Sequence, residues 1–338
     1  MSDNKSIQLG LCCLNTILRS QTPPIFASRT IILKTFHERG FKHLQEKIIQ
    51  NLKDVISMME WNEKHGIKVF RLSSDLFPHI SNLDAPNYKI DFAKPLLLEI
   101  GNLSQKYNQR LTFHPGQYNV IGTPNPDMFA KTSIDLECHA NILDEMGLSK
   151  DSVIVIHGGG VYGDKEATIN RWCEQFNYLP ENVKRRLVLE NCEKNFSIVD
   201  CLEVSDRINV PVVFDTHHFE CYKLLHPDEK FQEPDIYMHA VLETWWRRGI
   251  KPKFHVSEQG TGRIGHHSDY IETIPDYLLQ IPNKFGCDID IMIEAKMKEQ
   301  AIFKLYKKYP ELDCRHQKKD IPLGMQWTTF KYLQCDCC

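Results

Sequence analysis

The chain has 338 residues, 42% hydrophobic and 25% charged, with a formal net charge of −3. This is the balance of an ordinary globular protein with a sizeable core, and it excludes a disordered polyelectrolyte. No apolar run approaches the roughly 18 residues needed to span a bilayer, and the opening MSDNKSIQLG holds no apolar signal core, so an intracellular location, nucleus or cytoplasm, is expected.

Short β-rich runs alternate with longer helical stretches along the chain. Strands are predicted at 7–15, 68–73, 110–114, 152–157, 186–191, 210–215, 253–257 and 288–294. Helices are predicted at 28–64 with a break at Gly40, then at 91–107, 127–146, 165–177, 197–208, 234–248, 269–279 and 301–309. The middle strands, such as SVIVIH and VPVVFD, are continuous Val/Ile/Phe runs, as expected of strands buried on both faces of a parallel sheet. Eight such units predict an α/β fold, a single (β/α)8 TIM barrel spanning 1–330, with no second domain. A flat doubly wound sheet is the alternative, but no GxGxxG follows the first strand. The Cys-rich tail 331–338 is read as a disordered end. The twelve cysteines are read as reduced thiols, mostly small core residues.

The chemistry is concentrated at strand ends. The third strand ends in His114, the fourth in His157, the fifth in Glu190 and the sixth in Asp215, with His217 and His218 just beyond. The seventh carries Lys253 and His255, and the eighth ends in Glu294. A barrel gathers these ends around one mouth. A charged or imidazole group there is costly unless it is paired or binds metal. A lone histidine can be a hydrogen-bonded structural residue, and a lone Asp or Glu can cap the next helix. Six successive strands each supplying a ligand-type residue are not explained that way. Imidazole and carboxylate donors without cysteine suit Mn2+, Zn2+, Fe2+ or Mg2+. They exceed what one ion can hold, so two or three ions are expected, the usual machinery of phosphodiester cleavage. Lys253 is left open: it either points to solvent or a phosphate, or is carbamylated into an anionic ligand.

Several segments together carry a family resemblance: RLSSDLFP (71–78), FHPGQY (113–118), IHGGGVYG (156–163), LENCE (189–193), FDTHH (214–218), KFH (253–255), HSDY (267–270) and IEAKMKE (293–299). In order and spacing they resemble the UV-damage endonuclease family over about residues 7–330. Endonuclease IV and sugar isomerases share a similar barrel at a greater distance. The resemblance implies a metal-dependent DNA repair enzyme that nicks damaged double-stranded DNA immediately 5′ to cyclobutane pyrimidine dimers, 6-4 photoproducts and abasic sites. Such nicks leave 3′-hydroxyl and 5′-phosphate ends. It implies a cluster of up to three ions, generally Mn2+, and no obligate protein partner. By motif, the implied ligands are His114, His157, Glu190, Asp215, His218, His255, His267 and Glu294. Glu190 is the expected bridging carboxylate of the set, and Lys253 matches the family's carbamylated lysine. Gln117 and Tyr118 match a pair that wedges into the duplex at the lesion. Arg71 and Lys296, within matched motifs, are expected to face phosphates, and Asn15 to lie near the mouth.

Two departures stand out. The family's second-strand histidine aligns with Asn82, while His79 lies three residues earlier and is taken as its replacement. The family's tyrosine after the first-strand glycine is here Leu11. Two rival readings remain: a sugar isomerase or epimerase on the same barrel, and a damage-binding protein without catalysis. The Gln117–Tyr118 pair weighs against the first, and the retained Glu190, Asp215 and Glu294 weigh against the second.

Overall fold

The computed structural model describes residues 6–317; the tail 331–338 lies outside the described residues. Eight strands follow one another as β1 (Ile7–Cys12), β2 (Val69–Arg71), β3 (Arg110–Thr112), β4 (Ile154–His157), β5 (Leu187–Glu190), β6 (Val212–Asp215), β7 (Lys253–Val256) and β8 (Ile289–Ile293). Each lies inside its predicted run. All seven ladders are parallel, in the order β3-β2-β1-β8-β7-β6-β5-β4. A further parallel bridge between Phe113 and Ile154 joins β3 to β4 and completes the ring.

The longer helices are α1 (Leu33–Lys64), α2 (Lys94–Tyr107), α3 (Pro126–Glu145), α4 (Lys165–Phe176), α5 (Ile198–Ile208), α6 (Thr216–Leu225), α7 (Pro234–Arg248) and α8 (Lys298–Lys308). Gly40 breaks α1 as expected, because its backbone (φ 71°, ψ −178°) leaves the helical region in a direction open mainly to glycine. The expected helix 269–279 is reduced to the single turn Asp276–Leu279. The residues before it instead follow irregular backbone, anchored where Glu258 Oε1 accepts from the amides of Glu272 and Thr273. Helix α6 was not predicted: its first residues read as the tail of a strand, yet Asp215 accepts from His218 N at 2.7 Å and caps it.

Alternation along the strands separates two cores. On β8, Ile289, Ile291 and Ile293 face the helix layer and join the main apolar cluster, as do Phe254 and Val256 on β7. The intervening positions point into the barrel. There, Met292 packs with Cys12 and Val69, and a Cβ on Gly10 would come within 2.9 Å of Met292 Cε. Nearer the barrel base, Asp290 is paired by Arg110 at 2.8 Å and Lys251 at 2.5 Å. The inward positions toward the other end are Lys253, His255 and Glu294. The same alternation that fills the wall with isoleucine therefore aims the polar side chains at the mouth.

Candidate metal centre

Glu190 is the hub. It is fully buried at the end of β5, and four imidazoles surround its two oxygens. Oε2 lies 2.8 Å from His114 Nε2 and 3.2 Å from His157 Nε2; Oε1 lies 2.9 Å from His255 Nδ1 and 3.4 Å from His218 Nδ1. Sheet register produces this convergence, because His157 on β4 is the direct partner of Glu190, and Asp215 on β6 is the partner of His255 on β7. His255 in turn lies 3.4 Å from Glu294, just past β8.

Seven side chains thus form three overlapping groups, each with donor atoms within 4.8 Å of one another: His157–Glu190–His218, His114–Glu190–His255 and Asp215–His255–Glu294. The donor set fits divalent ions. His218 Nδ1 donates to Asn191 O at 3.0 Å, which orients the ring and leaves Nε2 to serve as a ligand. His255 donates from Nδ1 to Glu190, and its Nε2 is buried without a partner, as is Asp215 Oδ2. Buried polar atoms left unpaired are costly, and here they point into one cluster.

The charges are mutually compensated. Burial alone would raise Glu190, but His255, His157 and His114 hold it well below the usual carboxylate range. Burial also works to raise Glu294, and Arg71 and His255 hold it low. Burial pushes Asp215 up to about 6 against the pull of His218. Burial would lower His218, yet Asp215 and Glu190 keep it well above the ordinary imidazole value. For His114 burial prevails and takes it down to about 4.

His267 sits at the edge of this cluster, with Nε2 3.9 Å from Glu294 Oε2. His79 is not brought to it. It follows β2 with φ 63°, its Nε2 donates to Ile31 O at 2.7 Å, and its ring stacks on Phe36. Asn82 Nδ2 lies 3.4 Å from its other nitrogen. Arg71 does not face a phosphate rim; its guanidinium pairs with Glu294, with Nε 3.4 Å from Cys13 Sγ. An arginine at the end of an inward-pointing strand position satisfies a buried carboxylate before it reaches solvent. Asn15 is fully buried, and its Oδ1 accepts from Leu18 N to cap the short helix Thr16–Arg19. Lys296 remains exposed, 3.8 Å from Asp269. Tyr118 is 82% exposed on the loop after β3, beside the exposed Gln117.

Lys253 lies wholly inside the barrel and donates to Thr112 Oγ1 at 3.0 Å. Burial foremost, then Arg71 and Arg110, lower its amine to about 7. No carboxylate lies within ion-pairing distance of it among the described residues. His217 is buried against Cys221, with its ring 6.0 Å from that of His267.

Three supporting residues had no sequence reading. Asn191 exchanges hydrogen bonds with the backbone of Asp215 at 2.8 and 3.0 Å, fixing the end of β6 beside β5. Glu299, also fully buried, accepts from the amides of Thr16 and Ile17 and ties the chain after β1 to the chain after β8. Gln259 accepts from Gly265 N and donates to Gly260 O and Arg263 O, closing the loop that presents His267. Asn191 and Glu299 lie within motifs already singled out, so adjacency to a ligand was the available signal. Gln259 carries no such signal.

The model of a family described as UV-endonuclease UvdE matches residues 7–327. A protein of Acanthamoeba polyphaga mimivirus that bears a UV-damage endonuclease name is 41% identical over 312 residues, covering 91% of this chain and 92% of its own. The UV-damage endonuclease of Schizosaccharomyces pombe is 38% identical over 314 residues, 89% of this chain and 50% of its own, so the chain spans about half of that relative. The UV DNA damage endonuclease of Bacillus velezensis is 34% identical over 262 residues, 75% of this chain and 79% of its own. Among solved structures, the crystal structure of SacUVDE superposes with a TM-score of 0.77 at 29% identity, covering 90% of this chain and all of that one. Endonuclease IV from Thermus thermophilus reaches 0.53 at 15% identity, covering 76% of this chain and 94% of its own, a likeness of fold alone. With a metal-type cluster at the mouth of a (β/α)8 barrel and a family match over nearly its whole length, the chain belongs to the UV-endonuclease family.

Proposed function

We propose that this protein is a metal-dependent repair endonuclease. It nicks duplex DNA immediately 5′ to cyclobutane pyrimidine dimers, 6-4 photoproducts and abasic sites, leaving 3′-hydroxyl and 5′-phosphate ends. The observation that carries the reading is the burial of Glu190 among four imidazoles, with Asp215 and Glu294 alongside, at the mouth of the barrel. The three overlapping groups would hold two or three ions, with His267 beside Glu294. Mixed imidazole and carboxylate donors favour Mn2+, with Zn2+ or Mg2+ as alternatives. When bound, such ions lower the pKa of water and stabilise charge on the attacking and leaving oxygens of a phosphodiester.

The chain's own residues do the rest. Glu190 joins two of the groups and sets their spacing. Asn191 keeps Asp215 and His218 in register with it. Arg71 neutralises Glu294 and holds its orientation. Lys253 reacts through its buried amine with CO2, forming a carbamate and releasing a proton; the guanidinium groups of Arg71 and Arg110 around it suit the resulting anion. Outside the cluster, Gln117 and exposed Tyr118 wedge into the stack at the lesion, an aromatic face taking the place of an unstacked base. Lys296 meets a backbone phosphate. No protein partner is needed.

The test is nicking of UV-irradiated supercoiled plasmid with Mn2+, with EDTA, and with Mn2+ restored. Open-circle product is expected in the first and third conditions only, with end-labelling placing the break 5′ to the dimer. Irradiated plasmid that is bound tightly but left uncut at saturating Mn2+ would point to damage binding without catalysis.

A further inference from the structure

The chain is slightly acidic, yet residues 16–47 hold six basic residues (Arg19, Arg29, Lys34, Arg39, Lys42 and Lys47) against two acidic ones, Glu38 and Glu46. The fold turns this local excess into a wall beside the mouth. In a barrel of this kind the helices run from mouth to base, and α1 shows where the mouth lies. Asn51 Nδ2 donates to Leu76 O, just past β2, and to Arg29 O, past β1. The stretch from Asn51 back to Gly40 therefore extends outward beyond the strand ends, by about 16 Å at 1.5 Å per residue.

The projection is braced. Phe41 packs at 5.4 Å on Tyr88 and 5.5 Å on Phe92, and Phe36 packs on Tyr88 at 6.4 Å. Below it, Asp54 Oδ2 accepts from Phe26 N, and Asn51 Oδ1 accepts from Arg29 N. The loop after β2 that supports Phe41 also walls a cavity of about 410 Å3 shared with Tyr118. The wall, the loop and the proposed lesion probe are thus contiguous along one side of the mouth.

Its outer charges are available. Lys34 is 79% exposed, 3.8 Å from a Glu38 that is itself exposed. Arg39 and Lys42 are exposed, with no ion pair to a carboxylate among the described residues. Exposed Ile32 and Phe41 lie between them. A merely solvated helix face is usually balanced in sign, and this one is not.

We propose that the projecting first part of α1, through Lys34, Arg39 and Lys42, is a docking arm for the phosphate backbone of the duplex flanking the nicked site. This rests on the reading of the substrate as duplex DNA. Phosphate contacts of this kind set register without reading sequence and make binding depend steeply on salt.

The experiment measures the dissociation constant of full-length protein for an undamaged 30-base-pair duplex between 50 and 200 mM KCl, alongside plasmid nicking. The variants are a triple Lys34→Gln, Arg39→Gln, Lys42→Gln protein and a single Lys42→Gln protein. A control triple of Lys64→Gln, Lys106→Gln and Lys307→Gln removes the same charge at the barrel base. Each lost contact should make the slope of log K against log salt shallower by about 0.9, so the arm triple should change it by roughly 2–3 and weaken binding at 0.1 M salt about 10- to 100-fold. The single variant should shift the slope by about 0.9, and the control should keep the wild-type slope. Wild-type binding and nicking with an unchanged slope in both arm variants would overturn the docking arm while leaving the endonuclease reading intact. A shift of equal size in the control would also overturn it, by reducing the effect to net charge. Wild-type protein that neither binds nor nicks DNA would overturn both readings together.

Discussion

Glu190→Gln is the most informative single change, because one negative charge serves two of the three ligand groups. The amide keeps the shape of the carboxylate but leaves His157 with His218, and His114 with His255, without an anion between them. The oxygens of Glu190 lie 2.8 to 3.4 Å from the ring nitrogens. A unit negative charge and a dication at about 3 Å attract by about 3 kcal/mol with bulk-water screening and about 11 kcal/mol at an effective dielectric constant near 20. Glu190 is fully buried, so the smaller figure is a floor, and about 3 kcal/mol corresponds to about 100-fold in a dissociation constant. Titration with Mn2+, followed by the electron paramagnetic resonance of the free ion, should show affinity at the two shared positions falling by at least that factor. Nicking of irradiated plasmid should fall in parallel at Mn2+ concentrations that saturate the wild type. Thermal unfolding in EDTA should change little, because the amide still bonds to neutral imidazoles. A Glu190→Gln protein that binds Mn2+ as tightly as wild type and cleaves at a near-normal rate would refute the assignment of Glu190 as the shared ligand.

Lys253 should make the intact protein about 44 Da heavier than its sequence under non-acidifying conditions, the mass of added CO2; full activity at the unmodified mass would remove the carbamate from the account. Tyr118→Ala, at an 82% exposed position, should leave the melting temperature within about 2 °C, as for surface changes of about 0.5 kcal/mol or less. It should lower cleavage at photoproducts about 10-fold or more, in line with a loss of about 1–3 kcal/mol of base stacking. Equal cleavage of irradiated plasmid by this variant and wild type would rule out the wedge. Away from the site, Asp144 receives Nε and Nη2 of the buried Arg186 at 3.1 and 2.5 Å. Burial works to raise its carboxyl, but the two hydrogen-bonded guanidinium groups of Arg186 and Arg185 hold it below the usual value; burial in turn draws Arg186 below its own ordinary value. Asp144→Asn should therefore cost about 2–4 kcal/mol near neutral pH, by leaving a buried guanidinium under-compensated. A carboxyl depressed in the folded state contributes its full stability above its unfolded pKa of about 3.9 and loses it as pH falls through the lower folded value. The gap between wild type and variant in denaturant unfolding should thus hold from about pH 7 to about 5 and close below about 4; a gap that widens in acid would contradict the ion pair.

Much of this protein is legible in the chain itself. Strands such as Leu187–Glu190 and Val212–Asp215 are short apolar runs that end in a group too costly to bury alone. That cost marks both the end of the strand and the ligand, so Glu190, Asp215, His157 and Glu294 could be named before any coordinates. Pairing and orientation depend on distances between residues far apart in sequence, and there the reading failed in specific ways. Arg71 lies beside Glu294 only because β2 and β8 flank β1, so its inward pairing was invisible in RLSSDLFP. His79 has the right residue type at almost the right place, but a positive φ and the carbonyl of Ile31 turn it away from the cluster. Asn15 caps a short helix that its own sequence barely announces. Helix α6 was hidden because FDTHHFE reads equally well as the end of a strand, and only capping by Asp215 decides it. Local composition determined which residues are costly to bury and hence where the chemistry would gather; closure of the ring determined which atoms meet, because side-chain direction in a barrel is set by register between strands and not by any one strand's sequence.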